Sequence, residues 1–274
     1  MVKYSKKMVK KPRVYKRKVV RKPTKALAKL IQRVVSRNIE NKSRQANLEM
    51  NLQYAQPGGT GLSFNGLIPL TPYDSVGTPA GSTIQILQGT GQGGRVGNVI
   101  KTKYATLKGV LAPLPLNATT NPAPAPMEIC IWIFKLKDLR SGNQLITAQD
   151  NINNQFFQSN NSTTGVTGSL INIVQAINQD NIHLYYKRVF KVGFAAGQAG
   201  GSIANNEFSY NRKFSINITK YLPKTIKFDD NTEMPSVNHV YCYMAPFKAD
   251  GAVSTGAVYG ATCDWEINYI YEDA

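Results

Sequence analysis

The chain has 274 residues, 42% of them hydrophobic and only 18% charged, with a formal net charge of +17. That length and apolar content suit one large domain, or two small ones, with a real core. The three cysteines, Cys130, Cys242 and Cys263, are odd in number and never spaced C-x-x-C. This excludes a disulfide framework and a cysteine zinc site, and each cysteine reads as a small core hydrophobe. No apolar run reaches about 18 residues, so no membrane span is expected. The basic N-terminus is followed by no apolar segment of the secretory kind.

The charge is strongly segregated. Residues 1–44 carry 17 Lys and Arg against a single acid, Glu40, while residues 45–274 carry 16 basic and 15 acidic residues. A polycationic arm thus precedes a nearly neutral body. Such arms bind nucleic acid or anionic surfaces. Within 1–23, Pro12 and Pro23 interrupt the chain and like charges repel, which predicts disorder until counter-charge arrives. The basic residues of this arm are Lys3, Lys6, Lys7, Lys10, Lys11, Arg13, Lys16, Arg17, Lys18, Arg21 and Lys22. Lys10, Lys11, Arg13, Lys16, Arg17 and Lys18 also have the density of a nuclear-import signal.

Residues 24–44 read as a basic amphipathic helix. Lys25, Lys29, Arg33 and Arg37 recur every four residues, opposite Leu27, Leu30, Ile31 and Val34, and Thr24 can cap the start. Such a helix orders against nucleic acid or the inner wall of an assembly; a membrane-surface helix and a helix docked on its own domain are the rival readings.

From residue 45 onward the pattern is β. Strands are expected in LEMNLQYA, LSFNGLIPL, TIQILQ, NVIKTKYATLKGVLA and EICIWIFKLK, then in HLYYKRVFKVGF, FSYNRKFSINI, TIKF, VNHVYCYMAPF and CDWEINYIYE. EICIWIFKLK is apolar on both faces, as a central strand should be. In the last segment Cys263, Trp265, Ile267, Tyr269 and Tyr271 share one face. The connections are long: Pro113–Pro126 has five prolines, Ser141–Gly168 is polar, and Ala195–Asn206 is small and flexible. Ser169–Asn178 reads as a short helix capped by Ser169. The sum is an all-β chain: a single eight-stranded antiparallel jelly roll over 45–274 with one or two loop helices.

Gln88–Asn98, QGTGQGGRVGN, contains G-x-G-x-x-G. A dinucleotide loop needs a helix after it and an acid about twenty residues on. Here β-branched residues follow, and no Asp or Glu occurs between Gly94 and Leu114. Gly89, Gly91, Gly93, Gly94 and Gly97 therefore read as a turn with positive φ between strands. His183 and His239 lie in strand-like runs without metal spacing. Asp229, Asp230 and Glu233 could hold a divalent ion at a subunit contact, but a polar turn before Pro235 is the simpler account. No catalytic residue, cofactor or metal is expected. The tyrosines at 185, 186, 241, 243, 269 and 271 could stack single-stranded bases, though most should build the core and interfaces.

A Lys/Arg-rich arm, a basic helix and a neutral β body with long polar loops resemble the single jelly-roll capsid proteins of small circular Rep-encoding single-stranded DNA viruses (circovirus-like). QGTGQGGRVGN followed by Val99-Ile100 is similar to a segment near the start of an early strand in many of them. The resemblance implies a T = 1-like shell, a 60-mer of identical subunits, with the arm facing the genome and the long loops decorating the exterior. It also implies packaging of single-stranded DNA, use of the host nuclear import machinery, and residence in the virion and, during assembly, the host nucleus. The residues themselves do not separate DNA from RNA. Sixty arms would supply roughly a thousand positive charges, with counterion release driving condensation. Two other readings compete: a non-capsid nucleic-acid-binding protein with a β-sandwich body, and a jelly-roll carbohydrate-binding or enzymatic domain with an incidental tail.

Overall fold

The computed structural model describes residues 41–54, 66–73, 82–89, 93–137, 144–193, 211–229, 234–236, 239–253 and 258–273, together with Lys25, Ala26 and Lys29. Two compact units divide the chain, Met1–Ile39 and Glu40–Ala274. In the first, Lys25, Ala26 and Lys29 are helical and exposed. The other expectations for residues 1–39, the cationic arm and the rest of the amphipathic helix, lie outside the described residues.

The second unit is built from antiparallel strands. They are β1 (Asn41–Gln53), β2 (Leu67–Pro69), β3 (Val99–Pro113), β4 (Met127–Leu136), β5 (Phe157–Ser159) and β6 (Ser162–Thr164), followed by β7 (Ile182–Val192), β8 (Arg212–Asn217), β9 (Thr225–Lys227), β10 (Val240–Lys248) and β11 (Tyr259–Asp273). One sheet runs β1-β11-β3-β8, with β9 also on β3; the other runs β2-β10-β4-β7. First and last strands pair, and the chain passes between sheets at nearly every connection. Two four-stranded sheets in these orders make a jelly roll. Eight of the ten expected segments form its walls; TIKF forms β9, a short fifth strand on the first sheet, and β5–β6 is a separate hairpin.

β1 takes up the last four residues of the expected helical segment. Asn41–Arg44 already pair with Tyr269–Glu272 of β11. The expected strand TIQILQ does not form: residues 83–88 make only an isolated bridge, from Gln88 to Arg95, although Ile84 and Ile86 are fully buried and Ile84 O accepts a bond from Tyr73 N at 3.0 Å. Its apolar alternation serves packing without pairing.

The core has two parts. The first lies between the sheets and includes Leu107, Ile131, Met244 and Trp265. The second covers the opposite face of β4 and β10, where Trp132, Phe134, Tyr241 and Tyr243 meet Ala148, Ile152, Phe156 and Val166. Trp132 stacks on Tyr243 at 5.6 Å and meets Phe156 edge-on at 5.5 Å. This explains why β4 is apolar on both faces. The segment doing the covering is the connection taken from its composition as polar and outward-facing. It contains helix α1 (Gln144–Asn154) and the β5–β6 hairpin. The second loop helix, α2 (Ile171–Val174), is shorter than expected, and Leu170 rather than Ser169 precedes it, with no side-chain cap.

Candidate nucleic-acid interface

Fifteen Lys and Arg and no acid precede Glu40. The chain leaves this segment through β1, and the even-numbered positions of β1 share one side of the strand. From Ala46 to Leu52 that side is apolar and packs in the core; at Lys42 and Arg44 it becomes cationic. These two cations meet the glycine-rich turn. Lys42 Nζ donates to Gly94 O at 2.6 Å and pairs with Asp273 Oδ2 at 2.6 Å. Arg44 Nε donates to Gly93 O at 2.7 Å, and the Tyr271 hydroxyl donates to the same carbonyl at 2.6 Å. Burial pushes the Tyr271 phenol up to about 12, with Asp273 adding to the shift and Arg44 and Arg95 opposing it. Lys42 and Arg44, counted by composition with the arm, are therefore structural parts of the body.

The described part of the turn is bonded to itself and to β1. Gly89 N donates to Arg95 O at 2.9 Å and Arg95 N donates to Leu87 O at 2.8 Å, so these amides are already satisfied. The Arg95 side chain is fully buried. Its Nη1 donates to Gly97 O and to Asn98 Oδ1, each at 2.8 Å, and its guanidinium carbon lies 4.3 Å from the Phe228 ring centroid. A strand, not a helix, follows at Val99. Gly93 sits at φ +75°, where a Cβ would come within 2.9 Å of Arg44 Nε and 3.0 Å of Ser43 O. Gly89 also has a positive φ, 157°, whereas Gly94 and Gly97 do not, and Gly91 lies outside the described residues. Sequence reasoning missed Arg95; its position between glycines was the available signal.

The remaining candidates resolve individually. His239 is buried, its Nδ1 2.7 Å from Thr71 Oγ1, and burial lowers its pKa to about 4. His183 is exposed on β7 and packs edge-on against Tyr185 at 4.7 Å. Asp229 accepts a bond from Ser236 Oγ at 2.7 Å, while Asp230 and Glu233 lie outside the described residues. Among the described residues, no group of three His, Cys, Asp or Glu is placed to hold a metal ion. Cys130, Cys242 and Cys263 are buried and unbridged, and burial pushes the Cys130 thiol up to about 12. Tyr241, Tyr243, Tyr269 and Tyr271 are core residues, whereas Tyr185 and Tyr186 are only half-buried. Among the described residues no helix is long and apolar enough to cross a membrane.

No family model matches this chain, and no curated protein matches it. Among solved structures it is similar to the Macrobrachium rosenbergii nodavirus (11% identity, TM-score 0.26), covering 98% of this chain and 61% of that one. It is also similar to VP1 of Trichodysplasia spinulosa-associated polyomavirus in complex with 3'-sialyllactose (10% identity, TM-score 0.28), over 85% of this chain and 98% of that one. A third likeness is to the mud crab tombus-like virus (8% identity, TM-score 0.22), over 89% and 98% of the respective chains. The jelly-roll fold of this chain rests on its own strand order.

Proposed function

We propose that this chain is a viral coat subunit. It assembles into a small closed icosahedral shell, T = 1-like with sixty copies, and packages single-stranded DNA through residues 1–39. The observation that carries this reading is the segregation of charge: fifteen cations and no acid before Glu40, and a nearly neutral jelly roll after it. A wall-forming domain needs little net charge of its own, because sixty copies in contact would repel one another. A genome needs dense cations that contact phosphates without reading bases. Lys42 and Arg44 support the division of labour, since they hold β1 to the body at the root of the arm. The cationic cluster from Lys10 to Lys18 serves nuclear import before assembly and genome contact after it. Preference for DNA over RNA rests on the resemblance to circovirus-like coats.

The test is removal of residues 1–39, leaving β1 whole. The truncated protein is expected to fold and to lose at least about nine-tenths of its co-purifying nucleic acid, measured by absorbance ratio and extraction. Undiminished nucleic acid would refute the assignment to the arm.

A further inference from the structure

One part of the body surface gathers lysines and tyrosine rings. β8 and β9 both pair with β3, but β8 covers Thr106–Leu111 and β9 covers Val99–Lys101. Between them the chain bows away through a 3-10 turn, Thr219–Tyr221. The bow is fixed to β3: Ala105 N donates to Thr219 Oγ1 at 2.9 Å, and Thr102 Oγ1 donates to Pro223 O at 2.8 Å. It frames a groove of about 800 Å³ whose lining includes Lys101, Lys103, Lys220, Lys224, Tyr186 and Tyr221. A second hollow of about 400 Å³ shares Lys220 and Tyr221 and adds Lys135 and Tyr185. Among the described residues, no carboxylate lines either hollow. Lys103 is engaged by the nearly buried Glu272; Lys101, Lys220 and Lys224 are exposed.

The aromatic side of the groove depends on a backbone irregularity. Against β4, Ile133 faces Tyr186 and Phe134 faces Leu184, so Tyr185 is an extra residue in β7. In a regular strand, consecutive side chains point to opposite faces. A bulge re-aims them, and here both rings reach Tyr221, at 5.6 Å for Tyr185 and 6.3 Å for Tyr186. Lys220 Nζ lies 4.9 Å from the Tyr221 ring centroid.

We propose that this groove binds a short run of single-stranded nucleic acid, with phosphates on Lys101, Lys220 and Lys224 and bases against the tyrosine rings. Cations alone would suit any anion. Cations alternating with half-exposed rings suit a chain that alternates phosphates and bases. The volume falls in the range of sites that enclose a small ligand, about 300–1,000 Å³. The site rests on the packaging reading, yet its residues are separate from the arm: it would fix a segment of genome against each body.

The experiment is ultraviolet crosslinking of the full chain to short oligo-dT, with crosslinked peptides mapped by mass spectrometry, together with the salt dependence of oligo-dT binding. Crosslinks are expected at Tyr185, Tyr186 or Tyr221 as well as in residues 1–39. The triple variant Lys101→Gln, Lys220→Gln, Lys224→Gln should lose them at least tenfold while keeping the arm crosslinks. Its salt slope should fall by about 2, since each single-strand phosphate contact contributes about 0.7. The matching Lys→Arg triple variant should retain both. Crosslinks confined to residues 1–39, or an unchanged slope in the Gln variant, would overturn the groove while leaving the arm intact. Crosslinks confined to the groove would refute the arm instead.

Discussion

Gly93 illustrates how a single residue can carry the meaning of a motif. It lies inside a G-x-G-x-x-G pattern, yet its carbonyl takes bonds from Arg44 and Tyr271 and its Cα faces the β1 backbone. At φ +75°, with backbone oxygen 3.0 Å from the site of a Cβ, the position excludes side chains for two separate reasons. Gly93→Ala is expected to cost about 1–3 kcal/mol, read as a fall in Tm of roughly 2–10 °C. An unchanged Tm would mean that the turn relaxes freely and that the bonds from Lys42 and Arg44 to Gly94 O and Gly93 O do not hold it rigidly. Arg95 makes the same point through charge. An arginine in a glycine-rich loop suggests phosphate, but this one is buried against Phe228 and spends donors on its own turn.

At the scale of elements, the strands were readable where period-two alternation was backed by pairing. β11 shows this plainly: its odd-numbered positions from Ala261 to Tyr271 are buried, as its alternation requires. TIQILQ has similar alternation and makes no ladder, because alternation reports burial and cannot report a partner strand. α1 escaped notice for the reverse reason: QLITAQDNINN has few apolar residues, and its packing on sheet β2-β10-β4-β7 depends on a surface that exists only after folding. The groove proposed to bind nucleic acid was illegible too, since it joins β3, β7 and the turn after β8, and hinges on a bulge that no local pattern marks. The segregation of charge, by contrast, is a property of the sequence itself and needs no fold to be read. One seam between elements adds a pH dependence. His239, just before β10, meets Thr71, just after β2, and lies among Tyr73 and Tyr241. Burial holds its folded pKa at about 4, below the ordinary 6.5. Between those values the unfolded chain binds the extra proton, so stability is full above about pH 6.5 and falls as pH drops toward 4, by about 3 kcal/mol from this group. His239→Gln should flatten that part of the denaturant-midpoint profile. An identical slope in the variant would show that another group titrates there.

For the whole molecule, the distribution of tasks follows from physics more than from any one site. A jelly roll with a second apolar layer beneath α1 would suit the wall of the proposed shell, and its near-neutral charge would allow close packing of copies. The cations that would oppose such packing are placed on a separate unit ahead of it. Closed symmetric assembly would then gather many arms on one side of a shell, where their charge is cancelled by the genome. Electron microscopy of the purified full chain tests this most directly. The account predicts closed, uniform shells of roughly 20 nm that contain nucleic acid. A protein that stays monomeric with and without nucleic acid, across the buffers and salt concentrations tried, would contradict it.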